Sequence, residues 1–232
     1  MMKGLFLTFE GTEGSGKSTQ VSILVERLKS LGHTVRMIRE PGGTPIGEEI
    51  RHTLKHSNVN HDMKSETELL LMNASRAQLV RETIRPALDR GEIVISDRFY
   101  DSTVAYQGYG RGLDRKFIQE LVDFAVGETR PDLTLLLLVP VAVSEARRLA
   151  RQPMLFTVPS APSEKGHAPT LPLRDRMEEA DRSFFERVEE GYKALGAAEP
   201  KRIKVIDATP SVEAISGEIW AAVEAKLAEL GR

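Results

Sequence analysis

The stretch FEGTEGSGKSTQ, residues 9–20, decides the fold of this chain, and it overlaps the end of the apolar run LFLTF at residues 5–9. Its Gly-x4-Gly-Lys-Ser spacing is a complete Walker A pattern between a predicted strand and a predicted helix. Glycines let backbone N–H groups turn inward around a phosphate, and the N-terminus of the following helix adds partial positive charge. The stretch therefore predicts a phosphate-binding loop made of Gly11, Thr12, Glu13, Gly14, Ser15, Gly16, Lys17, Ser18 and Thr19.

Apolar runs typical of strands recur along the chain, and they are near-continuous rather than alternating. This pattern predicts strands buried on both faces, as in a parallel sheet. The five runs are residues 5–9, 34–38, 92–96, 133–139 and 202–206. Helical patterns separate them, at residues 21–31, 65–90 and 115–126 and from about Val141, Asp175 and Ser211. The order predicts a single domain over residues 1–232 with a three-layer α/β fold of the P-loop NTPase type, a five-stranded parallel sheet flanked by helices.

One segment, QPMLFTVPSAPSEKGHAPTLPL at residues 152–173, contains five prolines and shows no periodicity. Such composition predicts a loop. Arginines stand on both sides of it, namely Arg147, Arg148, Arg151, Arg174 and Arg176. Two interpretations stay open from the residues alone: a solvated linker, or a lid over residues 147–176 that carries cations to a phosphate.

Composition narrows the classes of function. The formal net charge of −2 argues against nucleic-acid or membrane binding as the main activity, because such proteins usually carry a basic stripe. The absence of cysteine excludes disulfides and thiolate chemistry and suits a reducing compartment. With an N-terminal segment too short for a signal peptide, the expectation is a cytoplasmic protein that acts on a small acidic ligand.

A second acidic position is expected, because magnesium in P-loop enzymes is held by the loop hydroxyl and by an aspartate that follows another strand. Asp97 comes directly after the run EIVIS at residues 92–96. Asp97 and Ser18 are therefore the predicted magnesium ligands, Lys17 is predicted to neutralise phosphates, and Arg98 is the candidate cation for a transferred or accepted phosphate.

Six segments together resemble the thymidylate kinase family: FEGTEGSGKSTQ, REPGGT (39–44), DRFYDSTVAYQG (97–108), RPDLTLLLLVP (130–140), DRMEEAD (175–181) and DAT (207–209). The resemblance runs from about residue 5 to about residue 225. It implies transfer of the γ-phosphoryl group of ATP to dTMP, with Mg²⁺ as cofactor, and a homodimer as the usual assembly.

The resemblance also implies an acceptor site. Glu13 would meet the 3′-hydroxyl of the sugar, Arg51 would grip the acceptor phosphate, Arg76 would bind thymine, and Tyr106 would crowd a 2′-hydroxyl. The full set is Glu13, Glu40, Pro41, Arg51, Met72, Arg76, Arg98, Ser102, Thr103, Tyr106 and Gln107. Arg76 is also singled out by its position on an apolar helical stripe, where an unpaired guanidinium is costly and a ligand would pair it; a snorkelling arginine is the alternative.

Two departures from the family pattern bear on base preference. Met72 replaces a stacking phenylalanine and Thr103 replaces a frequent asparagine. A sulfur can still lie against a ring, but a monophosphate kinase with another base preference stays an alternative. A nucleotide-binding switch without an acceptor is a second alternative, from a different class of protein.

The catalytic cations can also be predicted. A phosphate acceptor is largely dianionic at neutral pH, so no general base is needed and catalysis rests on positioning and charge neutralisation. The phosphate loop holds no arginine, which resembles the bacterial branch of the family, where the lid supplies the cation. Arg151 and Arg174 are predicted for this role, with Arg176 in reserve.

Overall fold

The computed structural model describes residues 4–57, 59–155 and 181–231, and for residues 148, 149 and 151–155 it describes the backbone alone. Within these ranges five strands form one sheet, all paired in parallel in the order β2-β3-β1-β4-β5. The strands are β1 (Leu5–Glu10), β2 (Val35–Arg39), β3 (Ile93–Asp97), β4 (Leu133–Leu138) and β5 (Ile203–Asp207). The predicted parallel sheet is therefore confirmed, strand by strand.

Helices cover both faces of this sheet. Their bounds are α1 (Lys17–Ser30), α2 (Pro45–Lys55), α3 (Ser65–Leu79), α4 (Arg85–Asp89), α5 (Tyr100–Thr103), α6 (Arg115–Val126), α7 (Val141–Leu155), α8 (Arg182–Ala198) and α9 (Val212–Glu229). Successive side chains of β1 point to opposite faces. Leu5, Leu7 and Phe9 pack with α1 and α9, whereas Phe6 packs with α3, α4 and α6. The three-layer P-loop arrangement follows from this alternation.

The helix predicted over residues 65–90 is present, with one irregularity. A wide π turn at Val80–Ile84 separates α3 from α4, and Pro86 follows in the first turn of α4. Proline has no N–H to donate, so the regular hydrogen-bond ladder is interrupted there. The helix predicted over residues 115–126 matches α6, and Ser211 caps α9.

Two predicted boundaries are wrong. The helix expected from about Asp175 begins at Arg182, because the Asp181 carboxylate accepts from the Phe184 N–H (2.7 Å) and caps it there. The loop expected from Gln152 does not begin there, since α7 continues to Leu155. A proline near a helix end removes one hydrogen bond without ending the helix.

The rest of the predicted lid lies outside the described residues. This applies to Arg174 and Arg176 and to the side chain of Arg151, so the single-domain and lid assignments stay predictions. Two helical segments were missed by the pattern search: α2, which Thr44 caps, and the stretch from Tyr100 to Gly110, formed by α5 and a π-helical continuation.

The sheet brings the two motifs that follow β1 and β3 together. β1 lies between β3 and β4, Phe9 is in register with Asp97, and the Arg98 N–H donates to the Phe9 carbonyl (2.9 Å). In open parallel sheets ligands bind at the carboxyl ends of the strands, where the strand order reverses. The phosphate loop after β1 and the Asp97–Arg98 pair after β3 meet at this edge.

Candidate active site

The phosphate loop is shaped by glycines where side chains do not fit. A Cβ on Gly11 would be 2.2 Å from the Leu137 carbonyl oxygen, and Gly16, just before α1, has φ 91°. No side chain caps α1, so its first N–H groups are available to an anion. The arrangement is that of an anion-binding turn, as the Walker A spacing predicts.

Lys17 lies inside this turn. Its ammonium donates to the carbonyls of Gly11 (2.8 Å) and Thr12 (2.9 Å). Burial, helped by the nearby positive charge of Arg98, lowers the pKa of Lys17 from its usual 10.5 to about 7. Phosphate charge beside Lys17 would reverse this effect, because an anion favours the protonated amine.

Buried oxygens without hydrogen-bond partners, in the loop and on Asp97, are suited to contact a metal ion and phosphates. Among the described residues, Thr12 Oγ1, Ser15 Oγ and Asp97 Oδ1 are buried and have no hydrogen-bond partner. Ser18, at the start of α1, is exposed beside them. An aspartate oxygen and a hydroxyl are hard donors suited to Mg²⁺, which takes its remaining ligands from water and phosphate. In the part of the chain that the structure describes, no three His, Cys, Asp or Glu side chains gather as a metal site.

A cavity opens beside the loop, with about 450 Å³ of space when the open solvent at its mouth is included. It is bounded by the phosphate loop, the segment that follows β2, the end of α2, the helix α3 and the segment that follows β3. Its lining residues are Glu13, Glu40, Pro41, Lys55, Met72, Arg76, Arg98, Phe99, Ser102, Thr103, Tyr106 and Gln107. All the acceptor-site residues that the sequence predicts are here except Arg51.

Arg98 stands between the loop and the cavity, in a backbone conformation that is uncommon for a residue other than glycine (φ 71°). Its Nη1 donates to Ser102 Oγ (3.0 Å) and to the Tyr192 hydroxyl (3.3 Å). Its Nη2 donates to the Tyr106 hydroxyl (3.3 Å). Three hydroxyls therefore fix the guanidinium at the cavity wall.

Arg76 is buried, with 2% of its surface exposed, and its partner is a side chain of the protein. Its Nε and Nη2 approach Glu40 Oε2 at 2.8 and 2.7 Å, and Nη1 donates to Asn73 (3.1 Å). The expectation that a ligand is needed to pair this guanidinium is wrong, because Glu40 already does so. A second N–H on Nη1 is still able to donate to a base.

The other predicted residues of the wall differ in how their polar groups are used. Ser102 donates its hydroxyl to Glu10 (2.6 Å), and Gln107 donates to Glu68 (2.9 Å). Thr103 and Met72 are buried and line the cavity. Thr103 and Met72 are therefore better placed than Ser102 to contact a base, because the Ser102 hydroxyl already donates to Glu10.

Arg51 and Glu13 lie at the margins. Arg51 Nη1 donates to the carbonyl of Pro41 (2.8 Å), which keeps it beside the lining residues but not among them. Glu13 borders the large cavity and also a smaller one of about 220 Å³, which Ser144, Glu145 and Phe185 line. Glu13 therefore borders both cavities.

Sequence reasoning missed several residues of the site. Lys55 shares a face of α2 with Arg51 at i, i+4, a spacing that could have identified it. Arg147 of α7, which the sequence named only as one of the arginines beside the possible lid, donates to the carbonyls of Gly14 (3.3 Å) and Ala208 (3.0 Å) and joins the loop to the residue that follows β5. Glu10 is a carboxyl at the end of an apolar strand, so the argument that a buried charge needs a partner applies to it as it does to Arg76. That argument was not applied to Glu10.

The comparisons with known proteins agree with this geometry. The family model described as Thymidylate kinase matches residues 9–219. The chain belongs to the thymidylate kinase family. Among relatives in that family, the enzyme from Syntrophotalea carbinolica is 44% identical over 93% of both chains. The thymidylate kinase from Deinococcus radiodurans is 43% identical over 96% of this chain and 98% of that one.

A solved structure gives the same result in three dimensions. The crystal structure of thymidylate kinase from Ehrlichia chaffeensis superposes with a TM-score of 0.71 and 31% identity, covering 95% of this chain and 99% of that chain. The thymidylate kinase family is thus shown by sequence and by fold. Of the described helices, none has the length and apolarity needed to span a bilayer.

Proposed function

We propose that this chain transfers the γ-phosphoryl group of ATP to dTMP, forming dTDP for dTTP biosynthesis. One observation carries the proposal: a Walker A loop and a second, polar-lined cavity share one sheet edge, and Arg98 lines that cavity. A phosphate loop alone would serve many NTPases. The cavity lined by Glu40, Arg76 and Tyr106 provides a place beside the loop where a phosphate acceptor can bind.

The donor side uses the loop backbone and Lys17. The N–H groups at the start of α1 and the Lys17 ammonium hold the phosphates of ATP, from Gly11 to Thr19. Ser18 and Asp97 would hold Mg²⁺, whose charge stabilises the phosphates during transfer. The unpartnered Asp97 oxygen supports this assignment.

The acceptor side uses the cavity. We assign the acceptor phosphate to Arg98 and Arg51, the sugar hydroxyl to Glu13, and the thymine ring to Met72, Arg76 and Thr103. Tyr106 is assigned to the deoxyribose. Glu40, Pro41, Ser102 and Gln107 complete the wall. The acceptor arrives already nucleophilic, because the second pKa of a phosphate is about 6.

Catalysis then consists of holding donor and acceptor in line and neutralising charge. Of the cations whose side chains the structure describes, we assign Lys17 and Arg98 to the phosphoryl group that is transferred. Arg151 and Arg174 are proposed to add charge from the lid, with Arg176 in reserve. A closed lid over residues 147–176 would exclude water and limit hydrolysis of ATP.

We also propose a cytoplasmic homodimer. Leu70 of α3 and Phe117 and Phe124 of α6 are large apolar side chains that are more than half exposed. The two helices are packed side by side. An exposed apolar surface on adjacent helices is typical of a protein–protein contact. The cysteine-free sequence supports the compartment.

The test is a coupled assay of ADP release with dTMP, dUMP, UMP, AMP and GMP as acceptors. We expect dTMP to give the highest kcat/KM, and the Lys17→Ala variant to give no measurable turnover with any acceptor. If another monophosphate gives the highest kcat/KM, the chain is a monophosphate kinase with that base preference, the alternative that Met72 and Thr103 leave open. Slow ATP hydrolysis that no monophosphate accelerates would overturn the proposal in favour of a switch protein.

A further inference from the structure

A buried carboxylate lies behind Arg98, where no role has been assigned. Glu10, at the end of β1, is fully buried. Its Oε1 accepts from the Phe99 N–H (2.7 Å) and its Oε2 accepts from the hydroxyls of Ser102 (2.6 Å) and Tyr192 (2.9 Å). Tyr192 comes from α8, so this carboxylate joins the sheet, the segment after β3 and the helix behind the cavity.

The direction of these hydrogen bonds matters for Arg98. The two hydroxyl oxygens lie 3.0 Å apart and either could donate to the other, but an ionised carboxylate only accepts and each hydroxyl has one hydrogen. When both donate to Glu10, neither hydrogen is left for the other hydroxyl. The lone pairs of Ser102 Oγ and of the Tyr192 oxygen are then free to accept from Arg98 Nη1, at 3.0 and 3.3 Å. Because burial raises the pKa of Tyr192 well above its usual value, the phenol remains a donor to Glu10.

We propose that Glu10 and Tyr192 are positioning residues, which orient two hydroxyls so that Arg98 is held toward the acceptor phosphate. This inference rests on the proposed function and adds to it. Neither residue touches the acceptor, since neither lines the cavity, and both act through Arg98. The backbone of Arg98, with φ 71°, is in a conformation that persists only where the surrounding structure holds it, and the hydrogen bonds of its side chain are part of those surroundings.

The chemistry of Glu10 fits this role. Burial, with the neighbouring charge of Asp101, raises the pKa of Glu10 to about 7, while Arg98 and the hydrogen bonds from Ser102 and Phe99 oppose the shift. A protonated Glu10 would have to donate one hydrogen bond, and one hydroxyl would then turn its hydrogen toward Arg98. The network therefore needs the ionised form, which prevails above neutral pH.

The experiment compares dTMP with thymidine, which lacks the phosphate, as ligands of the full-length protein at pH 8. Titration calorimetry gives the dTMP affinity, and competition gives the thymidine affinity. For Glu10→Gln we expect dTMP binding to weaken by about tenfold or more, while thymidine binding stays within about twofold. Tyr192→Phe removes one hydroxyl and keeps the carboxylate, so we expect a loss of a few-fold for dTMP alone.

Two controls separate positioning from folding. Asp101→Asn alters a neighbouring buried carboxylate that pairs with Arg202 (2.7 Å) and whose charge raises the pKa of Glu10. Because its loss only favours the ionised form of Glu10, which already prevails at pH 8, the ratio of the two affinities should stay within about twofold of wild type. In an Arg98→Ala background, Glu10→Gln should weaken dTMP binding by less than about twofold, because the residue it acts through is gone.

Equal weakening of thymidine and dTMP in Glu10→Gln, or its full effect in the absence of Arg98, would overturn the positioning role and leave the kinase assignment intact. A wild-type protein that does not phosphorylate dTMP would instead overturn the proposed function, and this inference with it. The two failures are therefore distinguishable in the same set of measurements.

Discussion

The acceptor cavity and the phosphate loop satisfy their polar groups in different ways. In the cavity, the charged and amide groups of Arg76, Arg98 and Gln107 have protein partners before any ligand is considered, and Glu40 Oε1 is the buried lining oxygen that has none among the described residues. In the loop and at the end of β3, the described residues Thr12, Ser15 and Asp97 each have a buried oxygen without one. A buried polar atom without a partner is costly.

The cavity and the loop are therefore suited to different tasks. The cavity is preorganised by the Arg76–Glu40 ion pair and by hydrogen bonds to Arg98 and Gln107, which suits recognition of one nucleotide by shape and by a few directed groups. The loop is completed by phosphates and a cation, which suits a site whose occupant changes charge during the reaction. Substitutions in the two regions should therefore differ in whether they affect kcat or acceptor affinity.

The largest effect is expected in the loop, for Lys17→Ala. Removing the ammonium should lower kcat by about 10³-fold or more, because charge developing on the transferred group loses its fixed partner. Acceptor affinity should stay within about threefold in titration calorimetry. Lys29→Ala, at the exposed end of α1, is the matched control. If Lys17→Ala lowered dTMP affinity as strongly as kcat, the proposed difference between the loop and the cavity would be wrong.

The next effect belongs to the cavity. Arg76→Ala leaves Glu40 as an unpaired buried carboxylate, so we expect the free energy of unfolding to fall by about 3 kcal/mol. dTMP affinity should fall with it, and kcat at saturation should change much less. Denaturant unfolding and calorimetry measure the two quantities. Arg81→Ala, on the exposed side of the adjoining π turn, is the control. Unchanged dTMP binding would remove Arg76 from the base site.

A third prediction concerns the pH dependence of stability. The pKa of Glu10 is raised from its usual 4.5 to about 7, so its contribution to stability is present below pH 4.5 and is lost as pH rises through 7. The charged or titratable groups around it are Asp101, Arg98, Tyr192, Tyr106 and Lys17. Relative to wild type, Glu10→Gln should therefore gain about 2 kcal/mol between pH 5 and pH 8.

Thermal unfolding at several pH values checks this prediction. A stability difference that does not change with pH would mean that Glu10 titrates at its ordinary value. The same variant would lose acceptor affinity while gaining stability at high pH, a combination expected of a group whose strain serves function.

The smallest expected effect concerns the lid. Arg151→Ala or Arg174→Ala should lower kcat by more than about tenfold and leave dTMP binding nearly intact. Arg182→Ala, an exposed arginine at the start of α8, is the control. Normal turnover in both lid variants would assign the extra cation to Arg176 or to the described cations Lys17 and Arg98 alone.

Sequence patterns predicted much of this molecule, and the misses share a cause. The five strands and the loop were predictable because burial and turn geometry leave local signals in residue type and spacing. The start of α8 was misplaced because a single capping carboxylate, Asp181, decided it over the periodic pattern. The helical segment after Tyr100 was missed because it interleaves polar site residues with apolar ones.

The sequence alone determined the sheet, the phosphate loop and the need for a partner at Arg76. Only the tertiary structure decided that Glu40 is this partner and that Glu10 and Tyr192 meet behind Arg98. Spacing along the chain reports which side chains must be buried. It does not report which distant strand or helix delivers the opposing group, because that depends on how the elements pack.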